Sequence, residues 1–203
     1  MPNWCATDFV FFSKNEESLK KLHQHIKNTA LANKKYSDGR ASNWMGCVFE
    51  DYLNTKDYSC RGFIDDIAGI TTDKLNDKYS FDLWQSDAWS YHTLIWRDFL
   101  MKAYPDVDFV FKAEEPGCEL YVVGDPDGLY FTEKYVTDVY FPGCEEREYF
   151  DSEEAVINYF KKVFFYKQGL DSIDKIKTYL KNIIIEDDGE FAYIYEFEQV
   201  SDE

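Results

Sequence analysis

The chain is 203 residues long with a formal net charge of -17; residues 13–35, with six Lys against two Glu, run the other way at +4 and leave -21 for the rest. That surface repels phosphates, which argues against direct nucleic-acid binding and against contact with an anionic membrane. No apolar run reaches the roughly 18 residues a membrane helix needs, and no basic flank with an apolar core stands at the N-terminus, so the expected location is cytoplasmic.

Residues 4–12 read as a first strand, whose run of Phe9, Val10, Phe11 and Phe12 suits burial on both faces. Ser13 and Glu16 have capping-box spacing, and Leu19, Leu22, Ile26 and Ala30 make one stripe of the helix that follows. Through Ser37-Asp38-Gly39 and Asn43-Trp44-Met45-Gly46 periodicity is lost, which predicts a long connection with a short helical turn at 48–53. Phe63, Ile64 and Ile67 suggest a strand within 61–70.

Residues 79–123 are the expected packing centre. Phe81, Leu83 and Trp84 read as strand, and Ser86 or Asp87 is placed to cap a helix from Ala88, with Tyr91, Ile95, Trp96, Phe99 and Leu100 on its apolar half. Pro105 ends that helix. Val107, Phe109, Phe111 and Ala113 alternate with Asp108, Val110 and Lys112 as a strand; Pro116-Gly117 fits the centre of a type II turn, and a strand returns to Val123.

Gly124-Asp125-Pro126-Asp127-Gly128 is a turn, residues 129–141 read as one long strand, and Pro142-Gly143 ends it. Asp151-Ser152-Glu153-Glu154 opens a helix with an acidic first turn and a stripe of Val156, Phe160, Val163 and Phe164. Asp171 is expected to cap a further helix through Ile173, Ile176 and Leu180. Ile183-Ile184-Ile185 then reads as strand, Asp187-Asp188-Gly189 as a hairpin turn, and Phe191, Tyr193, Tyr195 and Phe197 as the alternation after it. The sum is an α+β protein: a mainly antiparallel sheet with helices packed on one face and split β-α-β elements in the first two thirds. The expected boundaries are 1–142 for that domain and 143–203 for a helical and hairpin extension packed on the same sheet.

Carboxylates are the abundant reactive groups. Glu114-Glu115 beside the turn, with Glu119 after it, is a candidate acid-base or magnesium pair; solvated turn residues are the plainer reading, because neighbours in a strand face opposite ways. Asp65-Asp66 reads the same way, and Asp125-Pro126-Asp127-Gly128 looks like a calcium-loop fragment without its further oxygen ligands or closing Glu. Trp84, Trp89 and Trp96 fit either a ligand groove or, more commonly, a core. Cys5, Cys47, Cys60, Cys118 and Cys144 contain no Cys-x-x-Cys pair and read as buried free thiols. Cys5 has no base near it in sequence, and His23, His25 and His92 have no metal-ligand spacing. No phosphate loop, dinucleotide fingerprint or Gly-x-Ser-x-Gly is present, so no cofactor is expected.

Met1-Pro2-Asn3-Trp4-Cys5, Tyr104-Pro105-Asp106-Val107, a Phe-rich strand and Glu114-Glu115-Pro116-Gly117 together resemble the YubB-like family of phages, plasmids and other bacterial mobile elements. The resemblance covers roughly the first 125 residues and implies a ferredoxin-like domain, a topology that carries no iron-sulfur implication here. In that family the Trp before the central helix tends to be followed by Ser and Pro; here Trp89-Ser90 is followed by Tyr91. The family supplies no catalytic residues.

The expected function is therefore that of a non-enzymatic bacterial or phage accessory protein that binds another protein, a basic one matching the acidity, through a surface including Trp89, Glu114, Glu115, Glu119 and Asp125. A sharper version has the acidic surface imitating nucleic acid, against which simple solubility competes. The alternative is a carboxylate- and magnesium-dependent enzyme acting on a nucleotide or phosphoester, which requires Glu114, Glu115, Glu119 or Asp125 to converge in a cleft. A structural or assembly role is the third option, and the oligomeric state stays open.

Overall fold

The computed structural model describes residues 3–31, 43–73, 77–141, 144–164, 168–183 and 190–200. Strand β1, Trp4–Ser13, alternates in its first half, where Cys5 and Thr7 are buried and Trp4 and Ala6 exposed, whereas Phe9, Val10 and Phe11 are all buried, as the apolar run suggests. Helix α1, Glu16–Ala30, is capped by Asn15, whose side-chain oxygen accepts from the Glu17 and Ser18 N–H groups. Ser13 is not the cap, because its hydroxyl donates to the Asp106 carbonyl at 2.6 Å and accepts from the Asn15 N–H. Leu19, Leu22, Ile26 and Ala30 are the buried stripe.

A short helix α2, Gly46–Phe49, precedes strands β2, Gly62–Ile67, and β3, Thr71–Asp73. Strand β4 runs over Lys78–Ala88, longer than the sequence predicts, and helix α3 begins only at Leu94 and ends at Ala103. Asp87 is therefore a strand residue and not a cap: Gln85 and Thr7 hold its carboxylate inside. The chain leaves the strand at Trp89, whose φ is 76°.

Strand β5, Asp108–Glu115, ends in a 3-10 turn over Pro116–Cys118, not a type II turn, and strand β6, Leu120–Gly124, returns. The positive φ falls on Glu119, at 54°. Gly117 serves closeness instead, since a Cβ there would stand 2.9 Å from the Asn3 side-chain amide and 3.0 Å from a Glu115 carboxylate oxygen.

The neighbouring strands run antiparallel in the order β6-β5-β1-β4-β2, with β3 against β4. Phe9 lies opposite Leu83 and Phe111, and Phe11 opposite Phe81 and Phe109. These rings join the α1 stripe and Ile95, Trp96 and Phe99 of α3 in one core. Phe11 meets Trp96 edge-on at 4.9 Å and stacks on Phe81 at 5.2 Å. Such pairs add about 0.5–1.5 kcal/mol each beyond the area they bury.

The chain divides into two compact units, Met1–Pro126 with Val200–Glu203, and Asp127–Gln199. In the second, β7, Tyr135–Phe141, lies between β8, Cys144–Phe150, and β9, Phe191–Glu196. Helices α4, Glu153–Val163, and α5, Ile173–Ile183, close its core through Val156, Phe160, Ile176 and Leu180 against Val139 and Ile194. The sequence places the expected boundary at 142/143. The ladder from Tyr135↔Phe150 to Phe141↔Cys144 instead ties residues 135–141 into a separate three-stranded sheet. Residues 129–134 are not strand, and Ser172, not Asp171, caps α5 through the Lys175 N–H. Ser37-Asp38-Gly39, Pro142-Gly143, Ile184-Ile185 and Asp187-Asp188-Gly189 lie outside the described residues. The protein is thus mixed α and β with mostly antiparallel, open sheets, and among the described residues no helix is long and apolar enough to cross a membrane.

Candidate functional site

At one end of the first sheet the core-facing positions turn polar. Cys5 lies opposite Asp87, Thr7 opposite Gln85, and Gly62 opposite Asp87 from the other side. Asp87 is fully buried. It accepts from Gln85 Nε2 at 2.8 and 2.9 Å, from the Thr7 hydroxyl at 3.1 Å, and from the His92 backbone N–H. Gln85 in turn accepts from Trp96 Nε1 at 3.0 Å, which anchors α3 to β4 through side chains. Loss of solvent pushes the Asp87 carboxyl from 3.8 up to about 7, against the opposing pull of the Gln85, Thr7 and His92 donors. Gly62 leaves the room: a Cβ would stand 2.1 Å from Asp87 Oδ1.

Burial also pushes the Cys5 thiol up to about 12, although a Thr7 contact opposes it, so Cys5 is no nucleophile. Cys47 is buried as well, Cys60 is half-buried with its thiol pushed up to about 11 by desolvation, and Cys118 is exposed, contrary to the expectation that all the thiols are inside. The Cys144 side chain lies outside the described residues. This polar row is closed and bonded internally; chemically it binds α3 to the sheet and takes up one proton near neutral pH.

The carboxylates singled out from sequence do not converge. Glu114 and Glu115 leave β5 on opposite faces, and both are buried, so the solvated reading fails for them. Glu115 faces the same side as Cys5, and its Oε2 has no hydrogen-bond partner among the described residues. Glu119 is exposed on the 3-10 turn, and Asp125 is buried after β6. Among the described residues no group of three or more His, Cys, Asp or Glu side chains is placed to hold a metal ion.

The opposite face of β1, β4 and β2 is different. Trp4 is 47% exposed and Trp84 37%, and the Trp4 ring lies 6.0 Å from that of Phe63 on β2. Asp8 and Asp66 stand at the positions paired with Trp84 on its two sides, one on β1 and one on β2. Asp65 accepts from the Ser86 hydroxyl at 2.5 Å, and Asp82, one pair further along β4, is exposed. Lys112 faces Asp8 from β5. Trp89 follows Ala88, the partner of Trp4, and is 53% exposed. Its φ of 76° costs an L-residue about 1–2 kcal/mol, and its N–H is fixed on the Asn3 carbonyl at 2.9 Å.

No family model, curated protein or solved structure matches the chain.

Of the three tryptophans weighed from sequence, only Trp96 is core. Sequence reasoning missed Asp8 and Asp66 as the partners of Trp84 and Phe63 as the ring beside Trp4. The signal was available in β1, where Trp4, Ala6 and Asp8 alternate with Cys5, Thr7 and Phe9, but cross-strand register is needed to bring Trp84 and Phe63 beside them.

Proposed function

We propose that the chain is a non-enzymatic, cytoplasmic accessory protein of a bacterial mobile element or phage that binds a basic protein. The observation that carries this reading is the face of β1, β4 and β2 that shows Trp4 and Trp84 to solvent together with Asp8, Asp65, Asp66 and Asp82. An exposed apolar patch rimmed with carboxylates is the chemistry of a protein interface, and the net charge of -17 selects a cationic partner. The resemblance of the Met1–Cys5, Tyr104–Val107 and Glu114–Gly117 stretches to the YubB-like family supports the source. The free thiols among the described residues support the compartment.

We also read the first unit as ferredoxin-like, with its helices on one face. The succession β1, α1, β2, β4, α3, β5 and the strand order β5-β1-β4-β2, antiparallel throughout, support that reading. The carboxylate- and magnesium-dependent enzyme rests on Glu114, Glu115, Glu119 or Asp125 converging in a cleft, and among the described residues no three His, Cys, Asp or Glu side chains are grouped to hold a metal ion, which favours the binding reading.

The test is capture from a bacterial lysate on the immobilised full chain at about 0.05 and 0.5 M salt, since the Debye length shrinks about threefold per tenfold in salt. A basic protein held at low salt and released at high salt is the expected result. Capture of neutral or acidic proteins only, or capture indifferent to salt, overturns the reading.

A further inference from the structure

We infer that the open face of β1, β4 and β2 is a docking surface for an extended, arginine-bearing segment of a basic protein, an inference that rests on the protein-binding reading above. Three observations converge on it. Trp84 has a carboxylate residue at the paired position on each side, Asp8 on β1 and Asp66 on β2. A guanidinium is flat and delocalised, so it can stack on an indole while its N–H groups reach carboxylates beside the ring; a lysine ammonium matches that shape less well.

The second observation is Asp82. Its side chain makes no hydrogen bond or ion pair among the described residues, and desolvation holds its carboxyl above the usual range. An arriving cation reverses that penalty. Asp65, by contrast, is already oriented by the Ser86 hydroxyl.

The third is Trp89. A left-handed backbone position is ordinarily filled by Gly or Asn, yet here it carries a large ring that stays 53% exposed and so adds little to the core. It directly follows Ala88, the partner of Trp4, whose ring lies 6.0 Å from that of Phe63. Ala6, exposed between Trp4 and Asp8, leaves a low point along β1 for a bound backbone or side chain. A second copy of the chain is a poor occupant, because it would bring another -17 to an acidic surface. Nucleic acid would set phosphates against the same aspartates.

The experiment uses the full chain and three fluorescein-labelled probes: an alternating Arg-Gly peptide, its Lys-Gly counterpart and a single-stranded oligothymidine, read by anisotropy at low salt. The expected result is binding of the Arg peptide more tightly than the Lys peptide, with weak or no binding of the oligonucleotide. Trp84→Ala, Trp89→Gly and Asp82→Asn should each weaken the Arg peptide by about two- to fivefold, the range of an exposed cation–π contact or a comparable charge contact. Trp89→Gly relieves the left-handed backbone, so its loss of binding is not a loss of fold. Arg-peptide binding that none of the three variants changes overturns this surface and leaves the protein-binding reading standing. Equal affinity for the two peptides, or tighter binding of the oligonucleotide, also overturns it. If neither peptide binds, the inference falls, and the salt series on lysate capture judges the broader reading separately.

Discussion

Replacing Asp87 by Asn should flatten a specific part of the pH dependence of stability. The folded carboxyl titrates at about 7 against an ordinary 3.8. A raised folded pKa means the native state holds a proton that the unfolded chain has released. Below about pH 4 both states are protonated; between about 4 and 7 stability falls as pH rises; above about 7 both are ionised and the slope ends. The difference of about three units, at roughly 1.4 kcal/mol each, corresponds to about 4 kcal/mol over the full window. Between pH 5 and pH 8, where most other carboxylates are already ionised, about 3 kcal/mol of that remains. The assay is urea unfolding of wild type and Asp87→Asn at both pH values, followed by tryptophan fluorescence. All five tryptophans lie before residue 127, so the signal reports the first unit alone. The stability difference, wild type minus variant, should fall by a few kcal/mol from pH 5 to pH 8. A difference constant to within about 0.5 kcal/mol would refute the buried, proton-holding Asp87.

Two further outcomes follow from the same end of the sheet. Gly62→Ala drives a Cβ to 2.1 Å from Asp87 Oδ1 and 2.9 Å from the Ser86 carbonyl, and should cost about 1–3 kcal/mol in the same unfolding assay; an unchanged midpoint contradicts the packing. In the native protein at pH 8, iodoacetamide should modify the exposed Cys118 first and spare Cys5, whose thiol is buried and pushed up to about 12, until urea unfolds the chain. Peptide mapping showing early Cys5 alkylation would contradict its burial.

Sequence period was enough to place the apolar side of each long element. Leu19, Leu22 and Ile26 on α1, Phe109 and Phe111 on β5, and Val156 and Phe160 on α4 are all buried. Local signals misled wherever a distant partner claimed the same atoms. Asp87 stands where a cap is plausible, but Gln85 and Thr7 hold it within a strand, and Ser13 donates to Asp106 across the sheet. The third strand of the β7, β8 and β9 sheet depends on pairing between residues 51 to 61 apart, which no local pattern encodes. The candidate binding face was half legible. Trp89 stood out in the chain, whereas the placing of Trp4, Trp84 and Asp82 on one face follows only from register and exposure.

The central claim, that a basic protein docks on the acidic aromatic face of the first unit, is tested most directly by joining the captured partner to the chain with a zero-length carbodiimide and sequencing the linked peptides. The account predicts links from partner lysines to Asp65, Asp66 and Asp82. Links confined to Glu145, Glu146 and Glu148 of strand β8 would contradict it.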